Sequence, residues 1–156
     1  MEKATFAAGC FWGVEARFQQ LPGVTATAVG YEGGALANPS YQQVCTDRTG
    51  HAEAVEIDFD PSKITYQQLL DEFFALHDPT QLNRQGPDWG TQYRSAVFYH
   101  SPEQEKTAKD TIARLNAEKK FSKPVVTQVV PAETFWRAEE YHQKYLEKRG
   151  MASCHI

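Results

Sequence analysis

Residues 3–23 of the chain have the sequence Lys-Ala-Thr-Phe-Ala-Ala-Gly-Cys-Phe-Trp-Gly-Val-Glu-Ala-Arg-Phe-Gln-Gln-Leu-Pro-Gly. The first part, residues 3–8, has a strand-like composition and ends at Gly9. The part from Gly13 to Gln20 has apolar residues at helical spacing and ends before a Pro-Gly pair. These apolar residues are Val14, Phe18 and Leu21. We therefore predict a strand that turns directly into a helix, with Cys10 at the turn.

Further strands and helices alternate along the chain. Strands are predicted at 24–31, 53–59, 95–100 and 124–130. Helices are predicted at 41–45 after Ser40, at 66–76 after Thr65, at 101–120 and at 135–148. The stretch 78–94 lacks periodicity, and because its length is unusual for a plain connection we expect it to be functional. The pattern predicts an α/β (α+β) two-layer fold with a mixed, mostly antiparallel sheet flanked by helices.

Length and charge limit the classes of function. A chain of 156 residues with 41% hydrophobic content predicts a single domain over 1–156, with a flexible C-terminal tail at about 150–156. The net charge is −4, and no stripe of Lys or Arg predicts a nucleic-acid partner. No apolar stretch approaches the roughly 20 residues of a membrane span, and no secretory signal is apparent. We therefore predict a cytoplasmic location.

The chain contains three cysteines, Cys10, Cys45 and Cys154. This small, odd number argues against a secreted disulfide scaffold. Cys45 follows a short predicted helix, so we expect it to be buried and inert. Neither cysteines nor histidines have a structural zinc spacing, so we predict no metal and no cofactor. The histidines are interpreted as capping or surface residues: His51, His77, His100 and His142.

Cys10 is the first candidate for chemistry. A helix N-terminus stabilises a thiolate, because its unpaired N–H groups and the helix dipole favour negative charge. By position alone, a buried structural cysteine is the commoner interpretation. Phe11 and Trp12 favour the reactive one, because two large aromatic residues in a tight turn are not both needed in a core. One of them is expected to line a pocket.

The stretch Gly9-Cys10-Phe11-Trp12-Gly13 resembles the signature of the A-type peptide methionine sulfoxide reductases. Further segments match motifs of that family in the same order. They are Gly30-Tyr31, Asn38-Pro39-Ser40-Tyr41 with Val44-Cys45, 49–55 and 88–95. The resemblance covers roughly residues 4–145. It implies a ferredoxin-like fold and thiol-dependent reduction of methionine S-sulfoxide, free and in proteins.

The residue types fit this chemistry. A sulfoxide methyl group needs an apolar slot, for which Phe11 and Trp12 are suitable, and the sulfur needs the thiolate of Cys10. The oxygen gains negative charge during attack and needs a proton donor. Taken alone, Glu53 would be a solvated residue at a strand start, but the resemblance makes it the acid. The resemblance also implies three further residues at the oxygen and in its pocket: Tyr41, Tyr93 and Asp88.

The resemblance also implies how the cycle closes. Attack leaves Cys10 as a sulfenic acid, which condenses with a second thiol to give a disulfide. Cys154, in the predicted tail, resembles the resolving cysteine of many family members. Only one tail cysteine is present, so we predict a direct Cys10–Cys154 disulfide, reduced by thioredoxin or a similar dithiol.

Two other functions remain open at this point. The first is a cysteine hydrolase or acyltransferase, with His51 as the base beside Cys10. The second is a non-catalytic module that binds methionine peptides through aromatic residues, which would leave Cys154 unexplained.

Overall fold

The computed structural model describes residues 1–145 of the chain. In chain order the elements are β1 (Glu2–Ala8), α1 (Phe11–Gln19), β2 (Val24–Glu32), α2 (Tyr41–Cys45), β3 (Ala52–Phe59), α3 (Tyr66–Leu76), β4 (Arg84–Gln85), β5 (Asp88–Trp89), β6 (Ser95–Tyr99), α4 (Pro102–Ala117), β7 (Gln128–Pro131) and β8 (Trp136–Arg137). Two short 3₁₀ turns lie at Thr91–Tyr93 and Glu140–His142. No helix in the described part is both long and apolar enough to cross a membrane.

Six strands form one mixed sheet in the order β7-β6-β1-β3-β2-β8. Its neighbouring strands are antiparallel except β6 and β7, which are parallel. The inner order β6-β1-β3-β2, with α1 and α3 as the connecting helices, is the βαββαβ arrangement of ferredoxin-like folds. The predicted mixed, mostly antiparallel sheet of ferredoxin-like type is confirmed.

The main core lies between the sheet and its helices. Phe6 of β1 places its ring centroid 5.3 Å from that of Phe18 in α1 and 5.0 Å from that of Phe73 in α3. All three side chains are fully buried, and each such burial stabilises the fold by about 1.5–3 kcal/mol. These contacts hold α1 against the strand that precedes it, and so they fix the turn at Cys10.

The opposite face of the sheet is covered closely by the segment that leads to β8. A Cβ atom on Gly30 would lie 2.5 Å from the backbone oxygen of Trp136 and 2.6 Å from the ring of Phe135. Only glycine permits this approach. Trp136 pairs with Tyr31 of β2, so this segment completes the sheet edge.

The predicted helix over 135–148 is wrong over residues 135–144. Residues 136–137 form β8, and a 3₁₀ turn occupies 140–142. Gln143 explains why this segment is not helical: its side chain accepts from the N–H of Val29 and donates to the carbonyls of Val29 and Ala138. A local helical pattern therefore yields to long-range pairing with β2. The predicted 124–130 strand is shorter, Gln128–Pro131, and the stretch 78–94 contains the small β4–β5 hairpin.

The register of the sheet brings four strand ends together. Phe6 pairs with Val55, so the antiparallel register places Glu53 opposite Ala8, directly before Gly9 and Cys10. Ala8 also pairs with Ser95 at the start of β6, and Tyr31 pairs with Glu53. Residues from β1, β2, β3 and β6 therefore meet at one edge of the sheet, beside the N-terminus of α1.

His77, after α3, gives the fold a testable pH dependence. Its Nδ1–H donates to the Phe73 carbonyl at 2.6 Å, and its Nε2 accepts from the Ser95 hydroxyl at 2.8 Å. Burial lowers the pKa of His77 from 6.5 to about 4. The unfolded chain therefore binds a proton at His77 more tightly than the folded protein does. The contribution of His77 to the free energy of unfolding is fully present above pH 6.5 and is lost as the pH drops from 6.5 toward 4.

We expect wild-type protein to lose about 1–2 kcal/mol more than a His77→Gln variant between about pH 7 and pH 5. Urea unfolding at both pH values measures this difference. The matched change at the exposed His100 should alter the pH slope less. Equal slopes for wild type and His77→Gln would contradict a neutral, buried His77.

Candidate active site

Cys10 lies at the N-cap position of α1, half-buried, with extended backbone angles. The strand turns sharply before it: Gly9 has φ +90°, and a Cβ atom there would lie 2.9 Å from the side chain of Gln85. Glycine is therefore required for this turn to fit beneath the β4–β5 hairpin. The predicted placement of Cys10 at a strand-to-helix turn is confirmed. The N-terminal end of α1 favours its thiolate.

Glu53 lies beside this turn and is 1% exposed. The backbone N–H of Phe11 donates to its Oε1 at 3.2 Å, and its buried Oε2 has no hydrogen-bond partner within residues 1–145. Burial raises the pKa of Glu53 from 4.5 to about 8; the Phe11 N–H opposes this shift, and the charge of Asp88 adds to it. The carboxyl therefore holds a proton at neutral pH, and Oε2 is the oxygen able to donate it.

Two tyrosine hydroxyls belong to the same cluster. Burial, followed by the charge of Glu53, raises the pKa of both Tyr41 and Tyr93 far above the ordinary value. Both hydroxyls are therefore protonated donors. The pKa of Tyr93 also responds to the charges of three further residues: Cys45, Asp88 and Cys10. The predicted residues Glu53, Tyr41, Asp88 and Tyr93 are therefore linked electrostatically, and Tyr93 is also linked to Cys10.

The two aromatic residues of the signature have different environments. Phe11 is fully buried, with its ring centroid 5.8 Å from that of Tyr31 and 6.4 Å from that of Tyr41. Trp12 is half-buried and stacks on Tyr145, with centroids 3.8 Å apart and planes 8° apart. Trp12 therefore offers the partly exposed aromatic surface, whereas Phe11 packs in the interior.

Cys45 is exposed, so the prediction that it is buried is wrong. In the five-residue helix α2 the neighbouring Val44 is the buried residue, and Cys45 therefore points to another side. Its thiol hydrogen-bonds with Tyr41, at the edge of the cluster. Partial burial of the sulfur raises the pKa of Cys45, which makes it a weaker nucleophile at neutral pH.

His51 does not serve as a base for a cysteine hydrolase. It is 2% exposed, its Nδ1 accepts from the N–H of Gly34 at 3.0 Å, and its Nε2 donates to the Leu36 carbonyl at 2.7 Å. Both ring nitrogens thus hold the loop between β2 and α2. The sequence interpretation of His51 as a capping or surface residue is wrong, because the ring is buried and neither of its hydrogen bonds caps a helix. The predicted resolving residue Cys154 lies outside the described residues.

Sequence reasoning missed the contribution of residues 139–145. Glu139 accepts hydrogen bonds from the Tyr31 hydroxyl at 2.9 Å and from the backbone N–H of Tyr41 at 3.0 Å. His142 accepts the indole N–H of Trp12 at 2.9 Å. The sequence signal for this contribution was the density of aromatic and polar residues from 139 to 145. The predicted helix concealed it, because a helix would point these side chains in different directions and not toward one site.

The site combines a thiol at a helix N-terminus with a protonated carboxyl and two tyrosine hydroxyls. This combination is that of an enzyme whose cysteine attacks a substrate while an acid supplies a proton to it. Comparison with known proteins specifies the reaction. The family model described as "Peptide methionine sulfoxide reductase" matches residues 2–156, and the chain belongs to this family. Its activity is thiol-dependent reduction of peptide methionine S-sulfoxide.

Similar proteins cover nearly the whole chain. A peptide methionine sulfoxide reductase from Acidobacterium capsulatum is 72% identical, with 100% of both chains covered. The reduced form of Mxr1 from Saccharomyces cerevisiae has a TM-score of 0.90 at 37% identity, covering 96% of this chain and 86% of that one. Mxr1 in complex with Trx2 has a TM-score of 0.65 at 25% identity, covering 92% and 84%.

The protonation of Glu53 can be tested through stability. Its folded pKa of about 8 lies above the ordinary value of 4.5, so its contribution to stability is fully present below pH 4.5 and is lost as pH rises through 8. We expect Glu53→Gln to gain stability relative to wild type by up to about 5 kcal/mol between about pH 4.5 and pH 9. Denaturant unfolding across this range measures the gain.

The control is Glu118→Gln, at an exposed carboxyl, which should leave the pH profile of the unfolding free energy unchanged. A constant difference between Glu53→Gln and wild type across the range would show that Glu53 is ionised in the folded protein.

Proposed function

We propose that Cys10 is the nucleophile with which this enzyme reduces methionine S-sulfoxide, free and within proteins, to methionine. One observation carries the proposal. Cys10 lies at the N-terminus of α1, and the backbone N–H of the next residue, Phe11, donates a hydrogen bond to the buried carboxyl of Glu53. A nucleophile and a protonated acid are thereby held at adjacent positions, as attack on a sulfoxide requires.

In the first step the Cys10 thiolate attacks the sulfoxide sulfur. The oxygen passes from the methionine sulfur to the cysteine sulfur, which becomes a sulfenic acid as methionine leaves. The methionine sulfur is reduced by two electrons, and the cysteine sulfur is oxidised by two. The Cys10 thiol loses its proton before the attack, and the sulfenic acid oxygen gains one from Glu53, which is reprotonated from solvent, so no net proton is consumed.

The surrounding residues support this step. As the S–O bond polarises, Glu53 Oε2 donates its proton to the oxygen, while the hydroxyls of Tyr41 and Tyr93 donate hydrogen bonds to it. The charge of Asp88 also raises the pKa of Glu53 and so helps to keep the acid protonated. Trp12 and Phe11 provide the apolar slot for the methyl group.

In the second step Cys154 attacks the sulfenic acid, water leaves, and a Cys10–Cys154 disulfide forms. Sulfenic acid chemistry and the position of Cys154 in the sequence support this role. A dithiol then reduces the disulfide, and the family relative Mxr1 in complex with Trx2 supports a thioredoxin as this partner. Cys45 is the other candidate thiol, but its raised pKa disfavours it.

The geometry of the site disfavours both alternatives, the cysteine hydrolase or acyltransferase and the non-catalytic peptide-binding module. A hydrolase needs a base on Cys10, and both nitrogens of His51 are used elsewhere. A binding module would not need a carboxyl kept protonated by burial. Two further expectations stay predictions. The first is one domain over 1–156, which the match over 2–156 supports; its tail at about 150–156 lies outside the described residues. The second is a cytoplasmic location.

We expect Cys10→Ser to abolish sulfoxide reduction, because a hydroxyl cannot replace the thiolate as a two-electron donor. Methionine release is measured by mass spectrometry with separate R and S epimers and dithiothreitol as reductant. Wild type should reduce the S epimer alone. The same change at Cys45 is the matched control and should retain activity. Turnover by Cys10→Ser would contradict the proposed nucleophile.

We expect Cys154→Ser to release one methionine per enzyme and then to stop when thioredoxin is the reductant. The sulfenic acid forms in this variant, but no disulfide follows. Quenched-flow methionine counting measures the first turnover, and a dimedone adduct on Cys10 detects the sulfenic acid. Continued thioredoxin-driven cycling would assign resolution to another thiol, and the Cys45→Ser/Cys154→Ser double variant would show whether that thiol is Cys45.

A further inference from the structure

The turn that carries Tyr93 begins after a glycine. Gly90 precedes the 3₁₀ turn Thr91–Tyr93 and has φ +131°, a conformation that residues with a side chain rarely adopt. A Cβ atom there would also collide with the side-chain oxygen of Gln92. Because glycine restrains the backbone less than any other residue, the direction of the Tyr93 side chain depends on contacts that hold the turn from outside.

Asp47 makes one such contact from the loop after α2, 44 residues earlier in the chain. Its Oδ1 accepts a hydrogen bond from the backbone N–H of Thr91 at 2.8 Å and a second one from the Thr91 hydroxyl. Both donors belong to the first residue of the turn. Hydrogen bonds to a carboxylate are stronger than those between neutral groups, so a single oxygen of Asp47 fixes the start of the turn.

Arg94 holds the carbonyl end of the same residue. Its Nη1 donates to the Thr91 carbonyl at 3.0 Å, and its Nε donates to Oε1 of Gln128 at 3.1 Å. Burial lowers the pKa of Arg94, and the negative charge of Asp47 opposes this shift. The N–H and the C=O of Thr91 are therefore held by two side chains of opposite charge.

The backbone of Asp47 carries a small conformational cost. Its φ is +62°, in the left-handed region that glycine adopts freely and other residues adopt at a cost. Asp47 is also exposed, so burial of the side chain does not offset this cost. The hydrogen bonds to Thr91 are the interaction that a glycine at this position could not supply.

Asp47 also joins the segments that bear the two tyrosine donors. Its backbone N–H donates at 3.0 Å to a carbonyl of α2, the helix that begins with Tyr41. That helix has restraints of its own, because Ser40 forms a capping box and the N–H of Tyr41 donates to Glu139. The helix is therefore the fixed support, and the turn with Tyr93 is the part that Asp47 holds against it.

Resting on the proposed function, in which the Tyr93 hydroxyl donates to the sulfoxide oxygen, we propose that Asp47 is a positioning residue that holds this hydroxyl in place through Thr91. A donor lowers the barrier most when it is already directed at the atom where charge develops. Without the Asp47–Thr91 hydrogen bonds, Tyr93 stays in the site but points at the oxygen for a smaller fraction of the time. The loss should appear mainly in the rate constant of methionine formation, and less in the substrate concentration that gives half-saturation.

Substitution by glycine tests the proposal without straining the backbone. Asp47→Gly keeps the left-handed conformation and removes the acceptor, whereas Asp47→Asn keeps an oxygen acceptor and removes only the charge. We expect Asp47→Gly to form methionine about fivefold more slowly in a single turnover with methionine S-sulfoxide. Asp47→Asn should lose less than about twofold. An unchanged rate in Asp47→Gly, or an equal loss in both variants, would overturn the proposal.

Lys119→Gly is the matched control. Lys119 is exposed, and its backbone is also left-handed, with φ +52°. The substitution therefore makes the same change from a left-handed residue to glycine without touching Thr91, and its single-turnover rate should equal that of wild type. A loss as large as that of Asp47→Gly would assign the effect to the glycine and not to the lost carboxylate.

A double-mutant cycle with Tyr93→Phe tests whether Asp47 acts through the Tyr93 hydroxyl. Tyr93→Phe removes that hydroxyl, so in this background Asp47→Gly should change the single-turnover rate constant by less than about twofold. A merely structural role of Asp47 would weaken the site in both backgrounds alike. An equal loss of about fivefold with and without the hydroxyl would therefore contradict the proposal.

Fluorine NMR gives a readout that does not depend on activity. In protein labelled with 3-fluorotyrosine, the Tyr93 resonance is assigned by its absence from the Tyr93→Phe spectrum. It should shift in Asp47→Gly and keep its wild-type position in Asp47→Asn, and an unchanged resonance in Asp47→Gly would count against the proposal. Failure of the proposed function would look different: wild type itself would form no methionine, although the Tyr93 resonance would still depend on Asp47.

Discussion

The hydrogen bond from the Phe11 amide to the Glu53 carboxyl joins the beginning of α1 to the beginning of β3. The rest of the site depends on it. The amide is one of the unpaired donors at a helix N-terminus, and the carboxyl is almost completely buried. A single amide donor does not compensate for the loss of water around the carboxylate. The pKa of Glu53 is therefore raised to about 8, and the carboxyl keeps its proton at neutral pH. The same helix end favours the opposite state, a negative charge, on Cys10.

The topology of the sheet makes this contact possible. β1 and β3 are adjacent central strands in antiparallel register, so the residue that ends β1 lies beside the one that begins β3. The Phe6 cluster then fixes α1 over this junction. Both neighbours of β1 in the sheet, β3 and β6, thus bring their amino ends to Cys10, which explains how residues far apart in sequence form one cluster.

Sequence patterns predicted those parts of the fold that local chemistry determines. Glycines and a helical repeat placed Cys10 at a turn, and alternation identified β3. The pattern left Glu53 as a solvated residue at the strand start, and its role as the acid came from the family resemblance. The pattern failed where partners distant in sequence decide the conformation. Residues 135–145 have helical composition, but Gln143 pairs with the backbone of β2, and His142 accepts from Trp12 across 130 residues. Cys45 was placed wrongly because five residues are too few to show which side of a helix is buried.

The most direct test of this account is the protonation state of Glu53 itself. With ¹³C-labelled glutamate, NMR resolves the carboxyl resonance of Glu53, and its absence from the Glu53→Gln spectrum assigns it. The account predicts a titration midpoint of about 8, so that the group is mostly protonated at neutral pH. A midpoint near the ordinary glutamate value of 4.5 would leave the sulfoxide oxygen without its acid and would contradict the account.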